Sequence, residues 1–279
     1  MYYKTKEITK LQNVTRSHSG FCQFDLMAKY IELDHHSAEN VFEAHIHEEC
    51  EIYVNLSGDV SFVVENRIYP VLPGSIIITR PYEYHHCVYH SDRLHKHFWM
   101  LFSCSGNEEL FDLFFNRRAG EGNLLVLPPD KTERFFALCH RMTKKEDDKL
   151  TALSDFFELM RLLKSADSAN PENVYPSDVE FAIKHIGDNF ASPVTVSEIA
   201  HLAGVSVNTL ERHFSETLGK SPSRYLLDKR LSYAAFLLSK GENVTEASEK
   251  SGFSDYSRFI SVFKKNYGIT PLKYKNGAR

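Results

Sequence analysis

The sequence predicts a two-domain α+β protein. A β-barrel followed by helices is expected first, then an all-α domain in which a long helix joins two helix-turn-helix units. The chain has 279 residues, which is enough for about two domains. Short β-prone runs separated by turn residues fill its first hundred residues, whereas the apolar spacing after Ser103 is helical. Histidine and net positive charge are concentrated in different halves, which indicates two separate tasks.

The barrel is predicted from a series of short strands. Residues 51–56, 60–64, 68–72 and 75–79 are rich in β-branched and aromatic side chains, and Gly58, 65–67 and Pro73-Gly74 separate them as turns. Further strands are expected near 84–89 and 97–102. Strands at such regular spacing are typical of an all-β sandwich or barrel.

Two helices are expected after the barrel, at 130–145 and 148–165. The second carries an apolar seam at 3-4-3 spacing, formed by Leu153, Phe156, Met160 and Leu163. Such a seam is typical of a short coiled coil and predicts dimerisation through this helix; packing on the chain's own barrel is the alternative. A small, polar, proline-containing stretch follows and reads as a linker. The predicted divisions are 1–168, the linker 169–176, and 177–279.

The last hundred residues contain two helix-turn-helix patterns. The first has a helix at 197–202, a turn at Gly204 and a second helix that begins after Ser206 and ends at Gly219. The second has a helix at 244–250, a turn at Gly252 and a helix at 254–267. The helix that joins them, 222–240, is about 28 Å long at 1.5 Å per residue. This length is comparable with the roughly 34 Å between successive major-groove faces on one side of B-DNA.

The polar outer faces of the two second helices are the predicted DNA-contacting surfaces. Their residues are Asn208, Thr209, Glu211, Arg212 and Ser215 in the first unit, and Ser257, Arg258, Ser261, Lys264 and Lys265 in the second. Arginine can bind guanine, asparagine suits adenine, and glutamate can accept from cytosine. Other cations, among them Lys229 and Arg230, are expected to contact phosphates.

The distribution of charge supports the prediction that the C-terminal domain binds DNA. The net charge is −4, yet residues 174–279 carry 14 basic and 11 acidic side chains, against 19 and 26 in residues 1–173.

No apolar run approaches the roughly 18 residues of a membrane span. The first ten residues have charges and no apolar core, so no signal peptide is expected. Five scattered cysteines without a CxxC pair argue against a disulfide framework or a cysteine zinc site, and a cytoplasmic protein is expected.

Nine of the fourteen histidines lie between His35 and His97. The spacing His45-x-His47-x3-Glu51-x6-Gly58, followed by Pro81-x4-His86, resembles the cupin barrel. For a metal-binding cupin, the resemblance implies His45, His47, Glu51 and His86 as ligands, with His85 as a substitute. Three imidazoles and a carboxylate suit zinc, iron, manganese or nickel. The alternative has no resident cofactor: the same four residues hydrogen-bond a small organic effector, with Phe24, Tyr82, Tyr84 and Trp99 as apolar walls.

The C-terminal domain resembles the DNA-binding domain of the AraC/XylS family of bacterial transcription regulators. The residues that carry the resemblance are Ile199-Ala200, 202–206, Leu210, Phe214, Gly219, Tyr225, Arg230-Leu231, Ala234, Leu237-Leu238, Gly252-Phe253, Phe263-Lys264-Lys265, Gly268-Ile269-Thr270-Pro271 and Tyr274. It implies a non-enzymatic regulator, an activator, with a cupin-like effector domain that responds to a small molecule such as a sugar. The implied partners are promoter DNA, RNA polymerase and a second copy of the chain.

Two other functions stay open at the sequence level. A metal or redox sensor would use His35, His36 and Cys50, and a chelator or an oxidant would change its affinity for DNA. A metal-dependent cupin enzyme with a DNA-binding tail would need a metal with an open coordination position and a neighbouring acid or base.

Overall fold

Strands of the N-terminal half form two sheets that face each other. The computed structural model describes residues 13–19, 22–33, 44–91, 94–103, 108–144, 148–169 and 174–277, with backbone only before Leu26. The strands are β1 (Asn13–Ser19), β2 (Cys22–Leu33), β3 (Cys50–Ser57), β4 (Val60–Val64), β5 (Arg67–Val71), β6 (Ile76–Thr79), β7 (His85–Tyr89), β8 (His95–Phe102), β9 (Leu124–Val126) and β10 (Asp167–Ser168). The larger sheet has the order β1-β2-β8-β3-β6-β9-β10, and the smaller one has the order β5-β4-β7.

Side-chain alternation gives the larger sheet two apolar faces. In β3, Ile52 and Val54 face outward, while Tyr53 faces the smaller sheet. The same period of two makes Phe62 and Val64 of β4 point inward, whereas Val63 between them points to the opposite side. The space between the sheets is therefore lined by one residue in two from each strand.

Helices cover the outer face of the larger sheet. A 3-10 helix (Glu108–Phe111) continues as α1 (Asp112–Phe115), and α2 (Pro129–Met142) and α3 (Lys149–Leu163) follow. Phe156, Met160 and Leu163 of α3 are buried in this core, and Leu153 packs against it. The prediction that these four residues form a dimer seam is therefore wrong. The seam packs on the apolar outer face of the larger sheet within the same chain. The exposed large apolar side chains of α3 are instead Leu150 and Phe157.

The C-terminal half is helical throughout its described residues. Its helices are α4 (Ser177–Asn189), α5 (Val196–Leu202), α6 (Val207–Leu218), α7 (Pro222–Ser239), α8 (Val244–Lys250), α9 (Tyr256–Tyr267) and α10 (Pro271–Gly277). Side-chain oxygens of the preceding residues cap α5, α6, α7, α8 and α9, namely those of Thr195, Ser206, Ser221, Asn243 and Asp255. The predicted pair of helix-turn-helix units is confirmed as α5–α6 and α8–α9, with α7 between them.

Helix α7 is buried on several sides. Tyr225 and Leu226, near its start, pack with the first unit and the barrel, whereas Leu231 and Leu238 pack with the second unit. A helix with buried residues around its circumference is enclosed by its neighbours. The two-domain α+β architecture is confirmed, while the boundaries 1–168, 169–176 and 177–279 stay a prediction. Among the described residues, no helix combines the length and apolar character needed to cross a membrane.

Candidate nucleic-acid interface and barrel site

The first recognition helix, α6, presents a polar face to solvent. Ser206 caps it by accepting from the backbone N–H of Thr209, and Leu210 and Phe214 anchor its inner side. The predicted contact residues Asn208, Glu211, Arg212 and Ser215 are exposed, and Thr209 is half-buried. Arg212 Nη1 lies 3.6 Å from the exposed Glu216, and its Nη2 hydrogen-bonds His213 Nε2 at 3.0 Å. Surface contacts of this kind are weak, so DNA can replace them.

The second recognition helix, α9, has the same construction. Asp255 caps it by accepting from the Arg258 N–H at 2.9 Å, and Phe259 and Phe263 face inward. The five predicted contact residues, Ser257, Arg258, Ser261, Lys264 and Lys265, are exposed. The outer face therefore carries three cations and two hydroxyl groups, a set suited to phosphates and base edges.

Two cations predicted to contact phosphates have other roles. Lys229 is only 3% exposed, and its Nζ lies 3.2 Å from Glu65 Oε2 of the barrel and 4.5 Å from the centre of the Tyr84 ring. Arg230 donates to the carbonyl oxygens of Phe190 and Ser192, which fixes α7 against the loop after α4. The prediction for Lys229 is wrong because the barrel covers this side of α7, which the sequence of the helix alone does not reveal.

Inside the barrel, four side chains converge. One ligand atom from each of His45, His47, Glu51 and His85 lies within 4.8 Å of the others. Glu51 Oε2 is 3.2 Å from His47 Nε2 and 3.3 Å from His85 Nε2. The backbone N–H and carbonyl groups of His45 and His85 bond to each other, which sets these two residues side by side.

The Glu51 carboxylate and the imidazoles stabilise each other's charge. Burial acts to raise the pKa of Glu51, but the charges and hydrogen bonds of His85 and His47 outweigh it and hold that pKa well below its ordinary value. Burial likewise acts to lower the pKa of His85, and Glu51 raises it overall. His85 Nδ1 donates to the Glu83 carbonyl oxygen at 2.8 Å, so its Nε2 is the atom presented to the cluster.

For the fourth member of the cluster the structure selects His85 in place of the predicted His86. The two are neighbours on β7, so their side chains point to opposite faces. His86 points away from the barrel interior, and its ring centre lies 5.9 Å from that of Tyr225 on α7. Burial lowers the pKa of His86 well below its ordinary value, and the charges of Lys220 and Lys229 add to this effect.

The aromatic walls predicted for an effector do not form one pocket. Tyr84 packs on Tyr225, and Tyr82 packs on Phe236, so both belong to the contact between barrel and α7. Trp99 lies on the inner face of the larger sheet, in a separate apolar cluster. Phe24 lies in β2, where only the backbone is described. The prediction that Tyr82 and Tyr84 line the barrel interior is wrong because both side chains point out of the barrel and pack on α7.

Further polar groups line the interior near the cluster. His97 of β8 is buried and stacks on Tyr53 with ring centres 4.5 Å apart, and Cys87 of β7 lies on the same inner side. Burial lowers the pKa of His97 to about 3, His95 adds to this effect, and the Glu51 charge opposes it. His97, Tyr53 and Cys87 are not among the residues predicted for the site. Tyr53 and Cys87 lie two positions from Glu51 and His85 and therefore share their face, which is the signal that could have identified them.

The alternative sensor set is not assembled in the described part of the chain. His35 and His36 lie outside the described residues. Cys50 is buried in the core beneath α2 and α3, because it precedes Glu51 and points to the other face of β3. Cys50 is therefore separated from the His/Glu cluster by the sheet itself.

Comparison with known proteins matches both halves of the chain. Residues 31–163 match the family model for an AraC-like ligand binding domain, and residues 199–277 match that for a helix-turn-helix domain. The HTH-type transcriptional activator RhaS of Escherichia coli is 32% identical over 124 residues, 44% of each chain. The uncharacterized HTH-type transcriptional regulator YdeC of Bacillus subtilis is 38% identical over 88 residues, 31% of this chain and 30% of YdeC.

Among solved structures, a transcriptional regulator with an AraC-type DNA-binding domain from Chromobacterium violaceum is 30% identical. That match covers 36% of this chain and 91% of the other, with a TM-score of 0.34. The chain spans less than half the length of the two curated relatives named above.

Proposed function

Because this chain belongs to the AraC family of transcription regulators, we propose that it activates transcription by binding promoter DNA through both helix-turn-helix units, in response to an effector held in its barrel. The observation that carries the proposal is the pairing of two capped helices, α6 and α9, on either side of the buried helix α7. Each presents an exposed polar face with at least one arginine. Helix α7, of 18 residues, is about 27 Å long and acts as the spacer.

The DNA proposal is tested by Arg212→Ala on fragments selected from a random-sequence library. If Arg212 contacts a base, specific affinity falls by about 1–3 kcal/mol, with a smaller loss on unselected DNA. Arg161→Ala, an exposed arginine on α3, is the matched control and leaves affinity unchanged. An equal loss on both kinds of DNA would assign Arg212 to a phosphate, and no loss would remove α6 from the interface.

The proposal has further parts that rest on the family. The chain acts as a cytoplasmic homodimer, contacts RNA polymerase at the promoter, and is a regulator without enzymatic turnover. If α3 contributes to the dimer, its exposed Leu150 and Phe157 form the contact, since the predicted seam is buried within the chain. Sedimentation of the wild type and of Phe157→Glu tests this part: a dimer that the substitution converts to monomer supports it.

We further propose that the effector is a divalent transition metal held by His45, His47, Glu51 and His85. Buried charged groups face inward only when they are paired or bind a ligand. Bonds of about 2.0–2.1 Å place two ligand atoms at most about 4.2 Å apart, so the cluster, with separations up to 4.8 Å, fits a metal after small side-chain movements. A bound cation would supply positive charge against the Glu51 carboxylate.

Titration calorimetry of the full chain with Zn²⁺, Mn²⁺ and Ni²⁺ tests the metal proposal, with one ion per chain expected. A sugar effector is the competing outcome. A thermal-shift screen with monosaccharides separates the two, because a true ligand stabilises the folded chain with the logarithm of its concentration over its Kd and so raises the unfolding temperature. Stabilisation by a sugar without metal binding would replace the metal proposal.

A further inference from the structure

The chain segments that carry the His/Glu cluster also contact helix α7 on their opposite side. The carbonyl oxygen of Ala44, directly before His45, accepts a hydrogen bond from Ser232 Oγ at 2.6 Å. Glu48, directly after His47, lies 2.6 Å from Nζ of Lys240, the residue that follows the last turn of α7. The segment 44–48 therefore links the cluster to Ser232 within α7 and to Lys240 directly after it, eight residues further along the chain.

Strand β7 makes a second link of the same kind. His85 points into the barrel, whereas Tyr84 and His86, its neighbours, point outward to Tyr225 of α7, with ring centres 6.3 Å and 5.9 Å away. Successive side chains of an extended strand point to opposite faces, so the neighbours of an inward-pointing His85 must point outward. A displacement of the backbone at His85 moves the two side chains that pack on α7.

An ion pair between a buried lysine and a half-buried glutamate fixes the same surface. Lys229 of α7 reaches Glu65 in the turn after β4, and the other carboxylate oxygen of Glu65 accepts from the Tyr84 N–H at 2.7 Å. Lysine is almost never fully buried unless it is paired. Such a pair adds little net stability, because desolvation offsets the attraction, but breaking one side of it is costly. It therefore specifies how the barrel and α7 fit together.

We propose that occupancy of the His45, His47, Glu51 and His85 cluster changes how α7 docks on the barrel, and that α7 transmits this change to both recognition helices. This inference rests on the proposed metal effector. The start of α7 packs with the first helix-turn-helix unit and its end with the second, so a change in how α7 docks on the barrel reaches both α6 and α9. Linkage then requires that DNA binding and metal binding change each other's affinity by the same factor.

Hydrogen exchange of the full chain with and without Zn²⁺ measures this coupling, together with the Kd for a selected DNA fragment. In the wild type, Zn²⁺ changes the exchange of α7 amides around Tyr225–Ser232 and changes the DNA Kd by about fivefold or more. Lys229→Met keeps the length of the buried stem and removes its charge. It retains Zn²⁺ binding and loses both responses. His140→Ala, on α2 beyond the far face of the larger sheet, keeps both.

Glu65→Gln serves as a second variant in case Lys229→Met does not fold, since it keeps the shape of the side chain and removes the other half of the pair. Zn²⁺ binding by the wild type with unchanged α7 exchange and unchanged DNA affinity would overturn the coupling and leave the metal proposal standing. Absence of binding of Zn²⁺, Mn²⁺ and Ni²⁺ alike would overturn both. Coupling of wild-type strength in Lys229→Met and Glu65→Gln would overturn the assigned route through Lys229.

Discussion

Glu51 is the residue on which the barrel site depends most. It is buried, and it contacts His47 and His85 through the same oxygen. Glu51→Gln keeps the shape of the side chain but removes the negative charge that favours a cation. We expect Zn²⁺ affinity, measured by calorimetry, to fall at least about tenfold, the lower end of what even outer-shell substitutions cost. His140→Ala removes an imidazole elsewhere in the same domain and should bind Zn²⁺ like the wild type.

His97 gives a pH prediction for the metal-free protein. Its pKa is about 3 in the folded chain and near the ordinary 6.5 after unfolding. Between these pH values the unfolded chain takes up a proton that the folded chain does not, so stability decreases as the pH falls from 6.5 toward 3. One such histidine contributes up to about 1.4 kcal/mol per pH unit. Urea unfolding of His97→Gln in EDTA should show a shallower decline, and identical slopes would contradict the burial of a neutral His97.

The individual residues of the barrel site could be predicted from the sequence only in part. The resemblance to the cupin barrel implies three of the four cluster members, His45, His47 and Glu51. Choosing between His85 and His86 requires the register of β7 against β4, which places His85 opposite Val64 on the inner side. The prediction for Lys229 is wrong for a similar reason: a lysine on a basic helix favours phosphate contact, but here the barrel covers it.

At the scale of elements, the two turns of the helix-turn-helix units offer a matched pair of substitutions. Gly204 and Gly252 both have positive φ, at 73° and 80°. An added Cβ at Gly204 meets no atom within 4 Å, whereas at Gly252 it would lie 2.7 Å from the Phe190 carbonyl oxygen and 2.9 Å from the Ala191 backbone.

Both Gly→Ala changes therefore cost about 1–2 kcal/mol in left-handed strain, and Gly252→Ala costs more because backbone atoms must also shift. Urea denaturation of the two variants should rank Gly252→Ala as the less stable. Equal losses would show that the α8–α9 turn does not pack on the loop after α4.

Helices were easier to predict than strands because their signals are local. The cap residues Thr195 and Ser206 and the glycine at 219 mark the ends of α5 and α6 within the sequence itself. Strand β1 was missed, since the polar run 13–19 becomes a strand only by pairing with β2. The α3 seam was identified correctly as apolar but assigned to the wrong partner, because spacing shows that a face is buried and not what buries it.

At the scale of the whole molecule, the contact between barrel and α7 is the feature that no local pattern predicts. It joins Ala44, Tyr84 and Glu65 to residues more than 140 positions away along the chain. The sequence predicts only a linker, 169–176, between the two domains. The structure adds a packed interface that includes side chains first assigned to an effector pocket or to phosphates.

Hydroxyl-radical footprinting of the full chain on a selected DNA fragment is the most direct test of the central claim, that α6 and α9 of one chain grip DNA together. We expect two protected windows per chain on one face of the duplex, about 10 base pairs apart. Arg258→Ala should weaken protection in one window, and Arg212→Ala should weaken it in the other. A single protected window per chain, or loss of both windows from either substitution alone with folding intact, would contradict it.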